Sequence, residues 1–233
     1  MTVAVVVFPG SNCEHDVVYA LNRLGCDADL VWHRDTDLST FDGVVLPGGF
    51  AHGDYLRTGA IARFSPVMTE VQRLADEGAP VLGICNGFQI LTEAGLLPGV
   101  LLANRDLRFI CRPVHLRVES TESILTRAAQ VGDILEIPLN SYEGNYTTDS
   151  TDAVSRVILS YSDDKGLVAP TTNPNGSTDN IAGLTNAAGN VAGLMPHPER
   201  AIEMVLGSTD GRVLVESFVA AVRDFAEGSP ARV

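Results

Sequence analysis

Apolar, β-branched runs that stop abruptly at turn residues restrict this chain more than any other feature. Val3 to Phe8 is unbroken and ends at Pro9-Gly10-Ser11-Asn12, Gly43 to Leu46 runs into Pro47-Gly48-Gly49, and Pro80 to Ile84 runs into Cys85-Asn86-Gly87. Strands without polar alternation fit a sheet buried on both faces, as parallel strands between two helical layers are. Helical patterns lie between them. Ser11 or Asn12 is positioned to cap a helix over about Glu14 to Leu24, which lines up Val17, Val18, Leu21 and Leu24 and stops at Gly25. A second strand is expected at Ala28 to Trp32. Ser65-Pro66 predicts another helix start, with proline at the first helical position, continuing to about Glu77 before Gly78. Asn86 to Ala94 reads as helix.

This alternation predicts an α/β fold: a doubly wound, mostly parallel central sheet with helices on both faces. The second half reads differently. Phe109 to Val118, Asp133 to Ile137, Ala153 to Leu159, Ile181 to Thr185 and Val191 to Leu194 are strand-like pieces between turns, suggesting antiparallel additions and a return to the central sheet. A last amphipathic helix is expected over Arg212 to Phe225. Phe50 to Thr58 is too polar and glycine-rich for core and reads as a functional loop, and Thr171 to Asp179 as a long polar loop. With 45% hydrophobic and 19% charged residues there is ample material for one core, so a single domain over residues 1–233 is expected.

Charge narrows the partners. A net charge of -13 opposes phosphate backbones and anionic lipids, so neither nucleic acid nor membrane is expected. The N-terminus has no charged region ahead of its apolar run, and no run approaches membrane-spanning length. Cysteines 13, 26, 85 and 111 form no CxxC and no Cys/His ligand spacing, so no metal site is expected and reduced thiols in a cytoplasm fit. Cys13, Cys26 and Cys111 read as packing residues. His15, His33, His52 and His115 read as surface or core-satisfied.

Cys85 stands apart because Gly83-Ile84-Cys85-Asn86-Gly87 joins a buried strand to a helix as the cysteine form of a nucleophile elbow. Small residues at 83 and 87 permit the sharp turn, and the helix N-terminus favours thiolate. A base and an orienting acid are also required. Met195-Pro196-His197-Pro198-Glu199-Arg200 follows a buried strand, with His197 stiffened by two prolines and Glu199 placed to hold one ring nitrogen. The backbone of Gly48-Gly49-Phe50 and the amide of Asn86 are candidate donors to an oxyanion. Without Cys85, Pro-Gly-Gly would read as a plain β-turn.

Together, Pro47-Gly48-Gly49, Gly83 to Gln89 and His197-Pro198-Glu199 resemble class I, triad-type glutamine amidotransferases. More narrowly, Phe8 to Asp16, Pro47 to Ala62, Arg108 to Cys111 and Asn173 to Gly183 look like the glutaminase subunit of phosphoribosylformylglycinamidine synthase. The resemblance implies a flavodoxin-like fold, Cys85 as nucleophile, His197 as general base then acid, Glu199 as its partner, and Gln89 in substrate positioning. It also implies glutamine as substrate, a large ATP-binding synthetase subunit and a small bridging subunit as partners, and no cofactor here. The chain has no G-x-x-x-x-G-K-[ST], so ATP and magnesium are expected in the synthetase. One segment departs from the family: Asn140 to Tyr146 reads N-S-Y-E-G-N-Y where A-H-G-E-G-N-Y is common.

Overall fold

The computed structural model describes residues 1–228; residues 229–233 of the expected domain lie outside them. In chain order the elements are β1 (Thr2–Val7), α1 (Glu14–Arg23), β2 (Asp27–Trp32), β3 (Gly43–Leu46), α2 (Val67–Asp76), β4 (Val81–Ile84) and α3 (Asn86–Glu93). The second half adds β5 (Val100–Leu102), β6 (Ile110–Val118), β7 (Ile134–Ser141), β8 (Asn145–Thr147), α4 (Thr151–Val154), β9 (Val157–Ser162), β10 (Ile181–Thr185), β11 (Val191–Leu194) and α5 (Gly211–Gly228).

One sheet runs in the order β2-β1-β3-β4-β11-β10-β9-β6-β7. From β2 to β11 every neighbour is parallel, and from β11 to β7 every neighbour is antiparallel. The return to the central sheet is β11, which pairs with β4 so that Gly193 faces Gly83 and Leu194 faces Ile84. Three glycines show which helices cover which face. A Cβ on Gly83 would strike Leu91 and Gly87 of α3, and one on Gly193 would strike Phe88 of α3. Gly83 is paired with Leu46, an odd number of residues from Gly43, so Gly43 points to the other face. There a Cβ would meet Val222 and Phe218 of α5. Helices α3 and α5 therefore lie on opposite faces, as a doubly wound sheet requires.

Several expectations shift. Neither Ser11 nor Asn12 caps α1: Cys13 holds that position with no side-chain cap, because the preceding turn folds over Gly48, whose carbonyl accepts from the amides of Asn12 and Cys13. The Ser11 hydroxyl instead accepts from the Phe8 amide. Pro66 stands just before the first residue of α2 and not within it. Ala153 and Val154 are helical, since the Ser150 hydroxyl caps them by accepting from the Ala153 amide, and the strand starts only at Val157. Strands β5 and β8 pair in a separate small sheet, too short for any periodicity to announce. Of the cysteines read as packing, Cys26 is buried but Cys111 is exposed. Among the described residues no helix is long and apolar enough to cross a membrane.

Candidate active site

The ends of β1, β3, β4 and β11 meet at one edge of the sheet, where strand carboxyl ends of α/β proteins form crevices. A cavity of about 550 Å³ opens there, and Cys85, Gln89, His197, Gly49 and Phe50 all line it. The sequence-derived candidates thus converge on one space, apart from Asn86 and Glu199, which are buried next to residues that line it.

Cys85 occupies the junction of β4 and α3 with φ 51° and ψ -105°, a conformation a side-chain-bearing residue adopts only under constraint. Two close approaches impose it. A Cβ on Gly87 would lie 1.8 Å from the Leu46 carbonyl oxygen, and one on Gly83 would lie 2.7 Å from the Gly87 backbone. Helix α3 is therefore pressed onto β3 and β4, and its first residue is turned outward. Cys85 is 8% exposed, and its sulfur lies 3.5 Å from the Asn140 carbonyl oxygen.

His197 is fixed from three sides. Its amide donates to the Pro138 carbonyl in β7, its Nδ1 lies 2.7 Å from Glu199 Oε1, and Gly48 packs so closely that a Cβ there would be 2.7 Å from the ring. His197 and Glu199 are both nearly fully buried. The other ring nitrogen, Nε2, has no hydrogen-bond partner among the described residues. Burial alone would lower the His197 pKa, but the charges of Glu199 and Cys85 outweigh it and hold the ring well above the ordinary histidine range. The imidazole is thus oriented by an acid at Nδ1, with Nε2 left unpartnered.

The oxyanion donors need one correction. The Phe50 amide donates to the Gly10 carbonyl at 2.8 Å, because residues 48–50 pair with the turn after β1. Phe50 contributes only its half-exposed ring to the cavity wall. The amides of Gly49 and Asn86 take no part in that pairing, and the Asn86 amide opens α3, where no intrahelical acceptor is available. Gln89 is braced at both ends: Oε1 accepts from Asn86 Nδ2 at 2.8 Å and Nε2 donates to the Glu143 carbonyl at 2.6 Å. Asn86 in turn accepts from the Ala51 amide. Together these bonds tie the functional loop to α3.

The departing segment forms the opposite wall. Asn140, Ser141, Tyr142 and Glu143 line the cavity, and buried Asn104 and Asn175 hold the backbone behind them at Ser141 and Gly144. The loop containing Asn175 is therefore a brace. Sequence reasoning missed Cys13, Arg200, Asp54 and Thr58, all lining the same cavity. Cys13 Sγ, a His197 ring nitrogen and a Glu199 carboxylate oxygen fall within 4.8 Å of one another. Arg200 donates to the Cys13 sulfur at 3.1 Å and to Asp16 at 2.9 Å, so a positive charge already faces that thiol. The available signal was that β1 ends at the same edge as β3 and β4, which places the residues just after Gly10 beside Gly48.

Comparison with known proteins identifies the family. The family model described as a CobB/CobQ-like glutamine amidotransferase domain matches residues 1–215. A protein of Koribacter versatilis named phosphoribosylformylglycinamidine synthase subunit PurQ is 49% identical, covering 95% of this chain and 99% of its own. A protein of the same name from Pyrococcus horikoshii is 51% identical over 93% of this chain and 96% of its own. Among solved structures, a chain from the structure of PurLQS from Thermotoga maritima superposes with a TM-score of 0.86 at 41% identity, covering 94% and 97% of the two chains. A putative GMP synthase subunit from Thermoplasma acidophilum, at 17% identity and TM-score 0.66, shares the fold alone. A family match over most of the chain, near-complete coverage at about half identity, and an elbow cysteine sharing a cavity with a histidine held by a buried glutamate lead to one assignment: the chain belongs to the CobB/CobQ-like glutamine amidotransferases, within the group of PurQ subunits of phosphoribosylformylglycinamidine synthase.

Proposed function

We propose that Cys85 is the nucleophile of a glutaminase that supplies ammonia for the amidation of formylglycinamide ribonucleotide. The observation that carries this is the constrained Cys85 turn sharing a cavity with a His197 whose Nε2 is unpartnered and whose Nδ1 is held by Glu199. Cys85 attacks the carboxamide carbon of glutamine while His197 Nε2 holds the thiol proton. The oxyanion develops against the amides of Gly49 and Asn86. His197 returns the proton to the departing nitrogen, ammonia leaves, and a γ-glutamyl thioester remains. His197 then takes a proton from water, which attacks the thioester and frees glutamate. Glu199 keeps Nδ1 protonated throughout and offsets the imidazolium charge.

Ammonia released into neutral water becomes ammonium, which has no free electron pair for attack. Phe50, Phe109 and Tyr142 line the cavity as exposed apolar side chains, and Tyr55 and Leu56, at 75% and 92% exposure, directly follow Asp54 in the same loop. Such exposed apolar surface suits coverage by a partner. The partners in this reading are a large synthetase subunit and a small bridging subunit, ATP and magnesium act in the synthetase, and the complex works in the cytoplasm with no nucleic acid or membrane. The test is Cys85→Ser in the reconstituted complex. Glutamine-dependent synthesis should fall at least about a thousandfold while ammonia-dependent synthesis survives. Equal loss with both nitrogen donors would reject the assignment of Cys85.

A further inference from the structure

Resting on the glutaminase reading, we infer that Asp54 and Glu143 form the subsite that receives the α-ammonium group of glutamine, and so set the enzyme's selectivity for an α-amino acid amide. Both residues line the cavity that holds Cys85. Neither forms an ion pair among the described residues, although most other part-buried carboxylates do. The cavity's guanidinium, on Arg200, is engaged with Asp16 and Cys13 and belongs to the His197 side. Two carboxylates that share a half-enclosed space with no cation between them repel each other, and a bound cation removes that cost.

The position fits a short substrate. Asp54 Oδ1 lies 3.5 Å from the side-chain amide of Asn86, the residue after the nucleophile, and both Asp54 and Cys85 line the cavity. Glu143 approaches from the other wall, its carbonyl fixed by Gln89. An independent observation marks the same place. Thr58 is 5% exposed, lines the cavity, and its hydroxyl has no hydrogen-bond partner. A primary ammonium has three N–H donors, and two carboxylates with one hydroxyl supply acceptors for them. The loop is shaped for this task at a conformational cost, since Asp54 itself has φ 55°. Burial and then the proximity of Glu143 raise the Asp54 pKa to about 6, as expected of a carboxylate placed beside a second one.

The experiment compares glutamine with its desamino analogue, glutaramate, in the reconstituted complex. The wild-type protein should prefer glutamine by at least about a hundredfold in kcat/KM. Asp54→Asn should lower that ratio about tenfold or more through the KM for glutamine, with glutaramate little affected, and Glu143→Gln should lower it by a smaller factor. Glu143 is part-exposed on a braced wall, so its variant keeps the test informative if Asp54→Asn fails to fold. A wild-type complex that uses glutamine while both variants retain the full ratio would overturn the ammonium subsite alone. A wild-type complex that turns over no glutamine would overturn the glutaminase reading and this inference together.

Discussion

The two sides of the cavity are built on different principles. On the parallel side, Cys85 is set by a contiguous stretch: strand β4, the constrained turn and helix α3, with Gly83 and Gly87 allowing the close approach to Leu46. On the antiparallel side, Asn140 to Glu143 forms a wall whose shape depends on side chains far away in sequence. Asn104 accepts from the Gly144 amide, and Asn175 donates to the Gly144 carbonyl and to Tyr161. On the proposed glutaminase reading, the difference separates chemistry from recognition. A reacting sulfur must be fixed through the backbone, whereas a wall that recognises the substrate can be adjusted through its braces.

The largest expected effect breaks the parallel side. Gly87→Ala would place a methyl group 1.8 Å from the Leu46 carbonyl oxygen, which is backbone and cannot swing away. Helix α3 must then separate from β3, at a cost of at least about 4 kcal/mol. Chemical denaturation measures it, and wild-type stability would show that the turn is not constrained by this approach.

Next in size is Glu199→Gln, which keeps the shape but replaces an anion by an amide against Nδ1. By the behaviour of comparable triads, kcat should fall between about a hundred and ten thousandfold with little change in KM. The same substitution removes the anion that helps hold the His197 pKa high, so the imidazole should titrate at lower pH in the variant. NMR titration of the His197 ring checks the sign; an unmoved or higher pKa would remove Glu199 from its orienting role.

Asn175→Ala tests the antiparallel wall. Asn175 is 1% exposed, and its loss leaves the Gly144 carbonyl without this donor inside the protein. Stability should drop by about 1 to 3 kcal/mol. If the wall serves recognition, KM for glutamine rises while kcat is largely held. A fall in kcat at unchanged KM would mean that the wall also sets the nucleophile, through the contact of Asn140 with Cys85.

This contrast also explains what the sequence disclosed. β3, β10 and β11 were read at their true ends because short apolar runs closed off by nearby Asp, Asn or Pro leave little choice, and Cys85, His197 and Glu199 each sit in a short segment whose chemistry is local. Cys13 was read as packing because its role comes from the pairing of Gly49 with Ser11, a contact between separate turns. The same pairing consumed the Phe50 amide, which local reasoning had assigned to the oxyanion. Asp54 and Thr58 lie in the loop read as functional and line the cavity, yet their relation to Glu143 depends on the folding of β7 beside the parallel half. Local chemistry is legible in one stretch; chemistry assembled from several stretches emerges only when the sheet is ordered.

The smallest predicted effect concerns what the recognition side costs when empty. Asp54 has its pKa raised from 3.8 to about 6 in the folded protein, by burial first and Glu143 second. Between those values the folded state binds the proton more tightly than the unfolded state, so stability falls as pH rises through this window, with the full penalty present above about pH 6. Asp54→Asn removes the charge. Allowing for solvent screening of a part-exposed carboxylate, the ligand-free variant should be more stable than wild type by about 1 kcal/mol at pH 7.5, with the advantage shrinking towards pH 4. Thermal unfolding at the two pH values measures it. A gain that is equal at both would trace to the loop conformation and not to charge. If the gain shrinks on adding glutamine to the wild-type protein, the cost is that of a binding site awaiting its cation, the trade of stability for function expected where a site must stay open.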